Sequence, residues 1–145
     1  MTFVAWQAAN QQLGANSYII QVGAAVVPVN FWNTDASGTW QTAASWSLGH
    51  VPTSSEIAII DRGAANPLVT VSSGTQQVVR LQTTENVTIT GAGVSLDLAQ
   101  NSYADTTSTL SLNTNATLSG AGTLGVAGTM NWAGGTMTGT GTTRI

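Results

Sequence analysis

The sequence predicts an all-β chain wound as a right-handed parallel β-helix (β-solenoid) with a Trp-rich N-terminal capping segment. Three observations lead there. Short apolar runs of strand length succeed one another from Ile57 onward, Thr-apolar pairs recur at steps of six to eight residues, and residues 106–143 carry no charged side chain.

The strand elements come first. The runs are Ile57 to Ile60, Leu68 to Val71, Val78 to Leu81, Val87 to Ile89, Val94 to Leu98 and Leu110 to Leu112, separated by Gly, Asn, Ser and Thr. Beyond them the pairs Thr109-Leu110, Thr117-Leu118, Thr123-Leu124, Thr129-Met130 and Thr136-Met137 form a degenerate repeat. Such a step is too short for a strand plus a helix. Gly-rich links such as Ser119-Gly120-Ala121-Gly122 and Ala133-Gly134-Gly135 permit tight corners with positive φ. Three steps then close a triangular coil of roughly 20 residues, whose apolar side chains point inward and stack on those of the next coil. An antiparallel sandwich also uses short strands and Gly turns, and the spacing is what decides against it.

The charge distribution follows the same logic. Neighbouring strands lie about 4.8 Å apart, so a column of like charges would repel at every rung. The chain has no Lys, three Arg, six acidic residues and 23 Thr, and eight of its 16 Gly fall between Gly120 and Gly141. Thr, Ser and Asn keep the outer face polar without repulsion and can form hydrogen-bonded ladders.

Two segments precede the runs. Residues 1–30 are mildly apolar without a helical period, and the β-branched residues near 19–29 favour strand. Residues 31–56 hold Trp32, Trp40 and Trp46 in a turn-rich stretch and read as a cap, with solenoid rungs over 57–145.

Composition also excludes function classes. With 42% hydrophobic residues and a net charge of −3 the 145-residue chain should fold, as one domain. Arg62, Arg80 and Arg144 are scattered, so nucleic acid is not an expected partner. There is no Cys for a disulfide or thiolate metal site, and the acidic residues are too dispersed for a calcium loop, so no metal or cofactor is expected. The apolar stretch from Tyr18 to Val29 is broken by Gln21, Gly23 and Pro28, and no basic n-region precedes it. Neither a signal peptide nor a membrane-spanning segment is expected in these residues, and an export address would lie elsewhere.

Trp40, Trp46, Gly49 and Pro52 form a Trp-x5-Trp-x2-Gly-x2-Pro pattern followed by Ile57-Ala58-Ile59-Ile60-Asp61. This pattern resembles the start of β-helical stretches in large bacterial surface proteins, autotransporter passenger domains and filamentous-haemagglutinin-like adhesins. The stretch Met130-Asn131-Trp132-Ala133-Gly134-Gly135-Thr136-Met137-Thr138-Gly139 is similar to a rung of such proteins. The resemblance covers residues 31–143 and implies export within a large polypeptide, while leaving function open because the same rungs carry adhesins, enzymes and stalks.

Candidate sites are few, and no catalytic residue is assigned. His50, the single histidine, lies between Gly49 and Pro52 with no Gly-x-Ser-x-Gly elbow, and reads as a surface turn residue. Asp97 with Asp105, or Asp61 with Glu56, are the acid pairs nearest in sequence; Glu56 and Asp61 read as the exposed ends of the run they flank. Trp32, Trp40 and Trp46 are either a platform that stacks on sugar rings or, the stronger reading, a lid over the open end of the solenoid. Trp132 is either a core filler or an exposed aromatic. The drifting Thr spacing argues against an ice-binding lattice.

The expectation is a non-enzymatic structural or adhesive module of a bacterial secreted or cell-surface protein, forming a rigid rod or filament. Its partners would be a host-surface or glycan ligand, and further copies of itself through open solenoid ends, since Thr142-Thr143-Arg144-Ile145 is strand-like and lacks an evident cap. The competing expectation is a carbohydrate-binding or polysaccharide-processing β-helix that uses the Trp-rich segment.

Overall fold

The computed structural model of the chain describes residues 3–5, 20–22 and 26–145. Two short strands, β1 (Phe3–Ala5) and β2 (Ile20–Val22), pair antiparallel, with Val4 opposite Gln21. The other residues before Val26 lie outside the described residues, and with them most of the reading made for 1–30.

From Val29 to Arg144 the named strands pair only in parallel, in three sheets. The first sheet contains β3 (Val29–Phe31), β5 (Ile57–Ile60), β8 (Arg80–Thr83), β11 (Ser102–Ala104), β14 (Thr123–Val126) and β17 (Thr142–Arg144). The second contains β4 (Gly38–Thr39), β6 (Leu68–Val71), β9 (Asn86–Ile89), β12 (Thr109–Asn113) and β15 (Thr129–Ala133). The third contains β7 (Thr75–Val78), β10 (Ser95–Leu98), β13 (Thr117–Gly120) and β16 (Thr136–Gly139). The chain visits the sheets in that order and returns one layer further on, giving a parallel β-solenoid of about four turns. Gln76 pairs with Leu96, Leu96 with Leu118 and Leu118 with Met137, which are steps of 20, 22 and 19 residues. The coil length expected from the repeat is therefore met.

Inside, side chains form columns because strand side chains alternate and the strands stack in register. Val69, Val87, Leu110 and Met130 make one column of the second sheet, and Val71, Ile89, Leu112 and Trp132 the next. All of these except Met130 and Trp132 are buried. Each such Val, Leu or Ile removed from water contributes about 1.5–3 kcal/mol. Outside, Thr39, Thr70, Thr88, Ser111 and Asn131 form a column without charge. Thr107 Oγ1 donates to Thr84 C=O of the coil before it at 2.9 Å, but among the described residues no hydrogen bond joins two Thr side chains of successive coils. Further coil-to-coil bonds join Ser119 Oγ to Asp97 at 2.8 Å and bring the Thr109 and Thr123 N–H groups to the side chains of Asn86 and Asn101.

Two details differ from the sequence reading. The run Val78 to Leu81 is not one strand but a corner between β7 and β8: Val78 and Leu81 enter the core, and Val79 is buried at the bend between them. The parallel ladder begins at Val29 rather than Ile57, because β3 pairs with β5 and β4 with β6. The helical pieces among the described residues are two single 3-10 turns, Ala43–Ser45 and Gly63–Ala65.

The late glycines serve mainly close approach. A Cβ on Gly122 would strike the backbone of Gln100 and Asn101 in the preceding coil, and one on Gly128 the carbonyls of Ser108 and Asp105. Positive φ is required at Gly134 and Gly139, with φ of 109° and 103°.

Candidate functional site

The Trp segment is held together by the antiparallel return of its own backbone. While Trp32 N–H bonds Ile59 C=O toward β5, Asn33 N–H bonds Ser45 C=O at 2.7 Å and Ser47 N–H bonds Phe31 C=O at 2.8 Å on the opposite edge. Residues 45–47 thus cover the edge of β3 that would otherwise be an unpaired ladder. Trp32, Trp40 and Trp46 are 1%, 0% and 2% exposed. Trp46 meets Trp32 and Trp40 in edge contacts with ring centroids 5.3 and 4.8 Å apart, and its Nε1–H donates to Trp40 C=O at 2.7 Å. Gly38 lies against the Trp32 ring, where a Cβ would stand only 3.3 Å from it. Packed against one another and the core, the three indoles show almost no surface to solvent. Among the described residues Trp32 Nε1 and Trp40 Nε1 have no hydrogen-bond partner, a cost the packing must offset.

A polar latch adjoins the cluster. Asn30, wholly buried beside Ala58, donates to His50 C=O at 2.9 Å and accepts from Leu48 N–H at 3.2 Å, which fixes the loop after Trp46. His50 is exposed in its turn, as read from the sequence, yet it is not a free side chain. Its Nε2 lies 2.8 Å from Glu56 Oε1 and its Nδ1 3.1 Å from Leu48 C=O. Leu48 C=O and an ionised Glu56 both accept, so the protonated ring, which donates from both nitrogens, is the form that satisfies both contacts. The Glu56 hydrogen bond raises the His50 pKa against an opposing pull from burial. Burial pushes Glu56 up, but bonds from His50 and Thr53 more than offset it, so its carboxyl lies below the ordinary range. Glu56 is 6% exposed, which corrects its reading as an exposed strand end; the polar text around it gave no sign of the His50 partner.

The acid pairs separate. Glu56 and Asp61 sit at opposite ends of β5, one buried against His50 and the other exposed at the next corner. Asp97 lies on the outer face of the third sheet, where Ser119 binds it, and Asp105 follows β11 in the first sheet. Asp61 and Asp105, far apart in sequence, line one groove with Thr84, Phe31, Gln82 and Tyr103. Sequence reasoning did not single out Phe31 and Tyr103. Their column runs Phe31, Ile59, Gln82, Tyr103, at steps of 28, 23 and 21 residues, and such uneven steps hide a column until the register is known.

Trp132 occupies a core column position beside Leu112 but is 57% exposed, its Nε1–H donating to Gly135 C=O at 2.6 Å. Among the described residues no three His, Cys, Asp or Glu side chains converge as metal ligands, and no helix is long and apolar enough to cross a membrane.

Fold and surface together define the class: a parallel β-solenoid with a buried Trp cluster at the end formed by β3 and β4. No family model, curated protein or solved structure matches the chain.

Proposed function

We propose that the chain is a non-catalytic structural and adhesive module of a bacterial secreted or cell-surface protein, a rigid rod that holds a binding surface away from its anchor. The observation that carries the reading is the unbroken stack: each coil from β5 to β16 is paired in register with its neighbours and shares one apolar core with them. A solenoid of this kind resists bending because tilting one coil breaks ladder bonds and core contacts together. The uncharged polar outer column of the second sheet suits a surface that must remain hydrated without repelling itself along the axis. The rung text resembling autotransporter passengers and filamentous-haemagglutinin-like adhesins supports the same placement.

Self-association belongs to the same proposal and is supported by apolar side chains beside β15 and β16: Trp132 is exposed, and Met130 and Met137 are only partly buried against the core. Sedimentation over a range of concentrations should show reversible association that Trp132→Lys abolishes; a monomer at all concentrations would remove this part of the proposal.

The test of the main reading is antibody labelling of intact producing cells together with binding of the purified chain to host-cell layers. Surface labelling and saturable binding are expected. Labelling only after lysis would contradict display. Turnover on a polysaccharide panel that is lost in Asp61→Asn or Asp105→Asn would contradict the non-catalytic reading.

A further inference from the structure

The outer face of the first sheet carries one continuous column, Phe31, Ile59, Gln82, Tyr103, Gly125 and Arg144, each residue in register with the next. Phe31 and Tyr103 are 48% and 47% exposed. Standing three rungs apart, their rings are separated by about 14 Å at the usual strand spacing, with Ile59 and Gln82 as the floor between them. The Tyr103 ring lies against Gly125, where a Cβ would come within 3.4 Å of it, and the Tyr103 hydroxyl reaches Asp105 Oδ1 at 3.4 Å. One wall of the groove is the corner that carries Asp61, Thr84 and Asp105. Backbone bonds from Thr84 N–H to Ile60 C=O at 3.0 Å and from Asp105 N–H to Thr83 C=O at 2.8 Å set these residues one rung apart. The groove is open to solvent and offers about 440 Å³.

We propose that this groove binds an extended neutral polysaccharide lying along the solenoid axis, with Phe31 and Tyr103 stacking on pyranose faces and Asp61 and Asp105 accepting hydrogen bonds from sugar hydroxyls. An exposed aromatic ring on a strand matches the C–H face of a pyranose, and two such rings on one axis match a polymer rather than a single sugar. Rigid rungs fix the spacing in advance, so little ordering cost opposes binding. The charge pattern selects among polymers. Both ionised side chains in the groove are carboxylates, which repel acidic glycans. They stand two rungs apart, about 10 Å, roughly a Debye length at 0.1 M salt, so they act as separate acceptors rather than as one field that captures a polycation. The nearby Arg62 is engaged by Asp35, its Nε 2.8 Å from Asp35 Oδ1.

This inference rests on the adhesive reading and names its ligand class. The test is calorimetric titration of the whole chain with cello-, laminari- and mannooligosaccharides, beside oligogalacturonate and deacetylated chitooligosaccharide. At least one neutral series should bind. Phe31→Ala and Tyr103→Ala should each weaken that binding roughly tenfold, with circular dichroism unchanged. Tyr103→Phe should retain it, and Leu68→Ala, which trims an exposed apolar side chain outside the groove, should leave it unaltered. Binding of none of the neutral series, binding of a charged series alone, or binding that survives the double Phe31→Ala/Tyr103→Ala variant would overturn the proposal. Host-cell binding without oligosaccharide binding overturns the groove and leaves the adhesive reading intact. Oligosaccharide binding with no attachment to cells supports the groove and counts against adhesion.

Discussion

At the end formed by β3 and β4, three Trp side chains are at most 2% exposed, whereas beside β15 Trp132 is 57% exposed although it stands in a core column. The same residue type therefore does opposite things at the two ends. What differs is the backbone around it. Residues 45–47 return antiparallel along β3 and cover its edge, with Asn30, His50 and Glu56 securing the loop behind them. Nothing comparable crosses β15 or β16 among the described residues, so Met130, Trp132 and Met137 meet the core from one side only. An aromatic side chain closes a solenoid only when a strand carries it across the edge.

Substitution at the two ends should show the largest contrast. Trp46→Ala removes a buried ring that touches both other indoles and is expected to lower stability by about 3–5 kcal/mol. Trp132→Ala should cost less than about 1 kcal/mol. Urea unfolding of both variants checks this, and equal losses would break the comparison.

Close approach between coils should come next. Gly122→Ala forces a Cβ into the backbone of the coil before it, and a loss of about 1–3 kcal/mol is expected in the same experiment. Gly93→Ala, where no atom lies near the added Cβ, carries only the strain of its φ of 72° and should cost less.

Within the cap, the indole N–H groups separate packing from hydrogen bonding. Trp46→Phe gives up the bond to Trp40 C=O and should lose about 1 kcal/mol more than Trp40→Phe, which discards an N–H with no partner among the described residues. A larger loss in Trp40→Phe would show that its N–H is satisfied after all.

The smallest effect is a pH dependence confined to the capped end. The raised His50 pKa stabilises the fold fully below its ordinary value of 6.5 and ceases to do so as pH rises through the raised one. The lowered Glu56 pKa contributes fully above its ordinary value of 4.5, and that contribution disappears as pH falls through the lowered one. The latch is therefore complete between 4.5 and 6.5 and weakens on either side. Melting temperatures across this range should show a shallow maximum that His50→Gln flattens, with exchange of the Phe31 to Asn33 amides following the same profile.

The architecture was legible because the sequence repeats it. Alternating runs and recurrent Thr-apolar pairs report side-chain period and coil length directly, and both depend on local spacing. Surface columns were not legible, since Phe31, Ile59, Gln82 and Tyr103 become neighbours only through a register that uneven corners obscure. The same holds for Glu56, whose burial depends on how the loop carrying His50 folds back over it. Trp32, Trp40 and Trp46 were recognised as a group, with a lid favoured over a platform; the return of residues 45–47 along β3, against which the three rings are buried, was not legible.

In-register parallel stacking of the coils can be tested by disulfide formation, since the natural chain has no Cys to interfere. Thr88 pairs with Ser111 and Thr70 with Thr88 on the outer face of the second sheet. Thr88→Cys/Ser111→Cys should oxidise to an intramolecular disulfide in the folded chain, whereas Thr70→Cys/Ser111→Cys, two rungs apart at about 10 Å, should not. Cross-linking of the second pair with failure of the first would contradict the stacked solenoid.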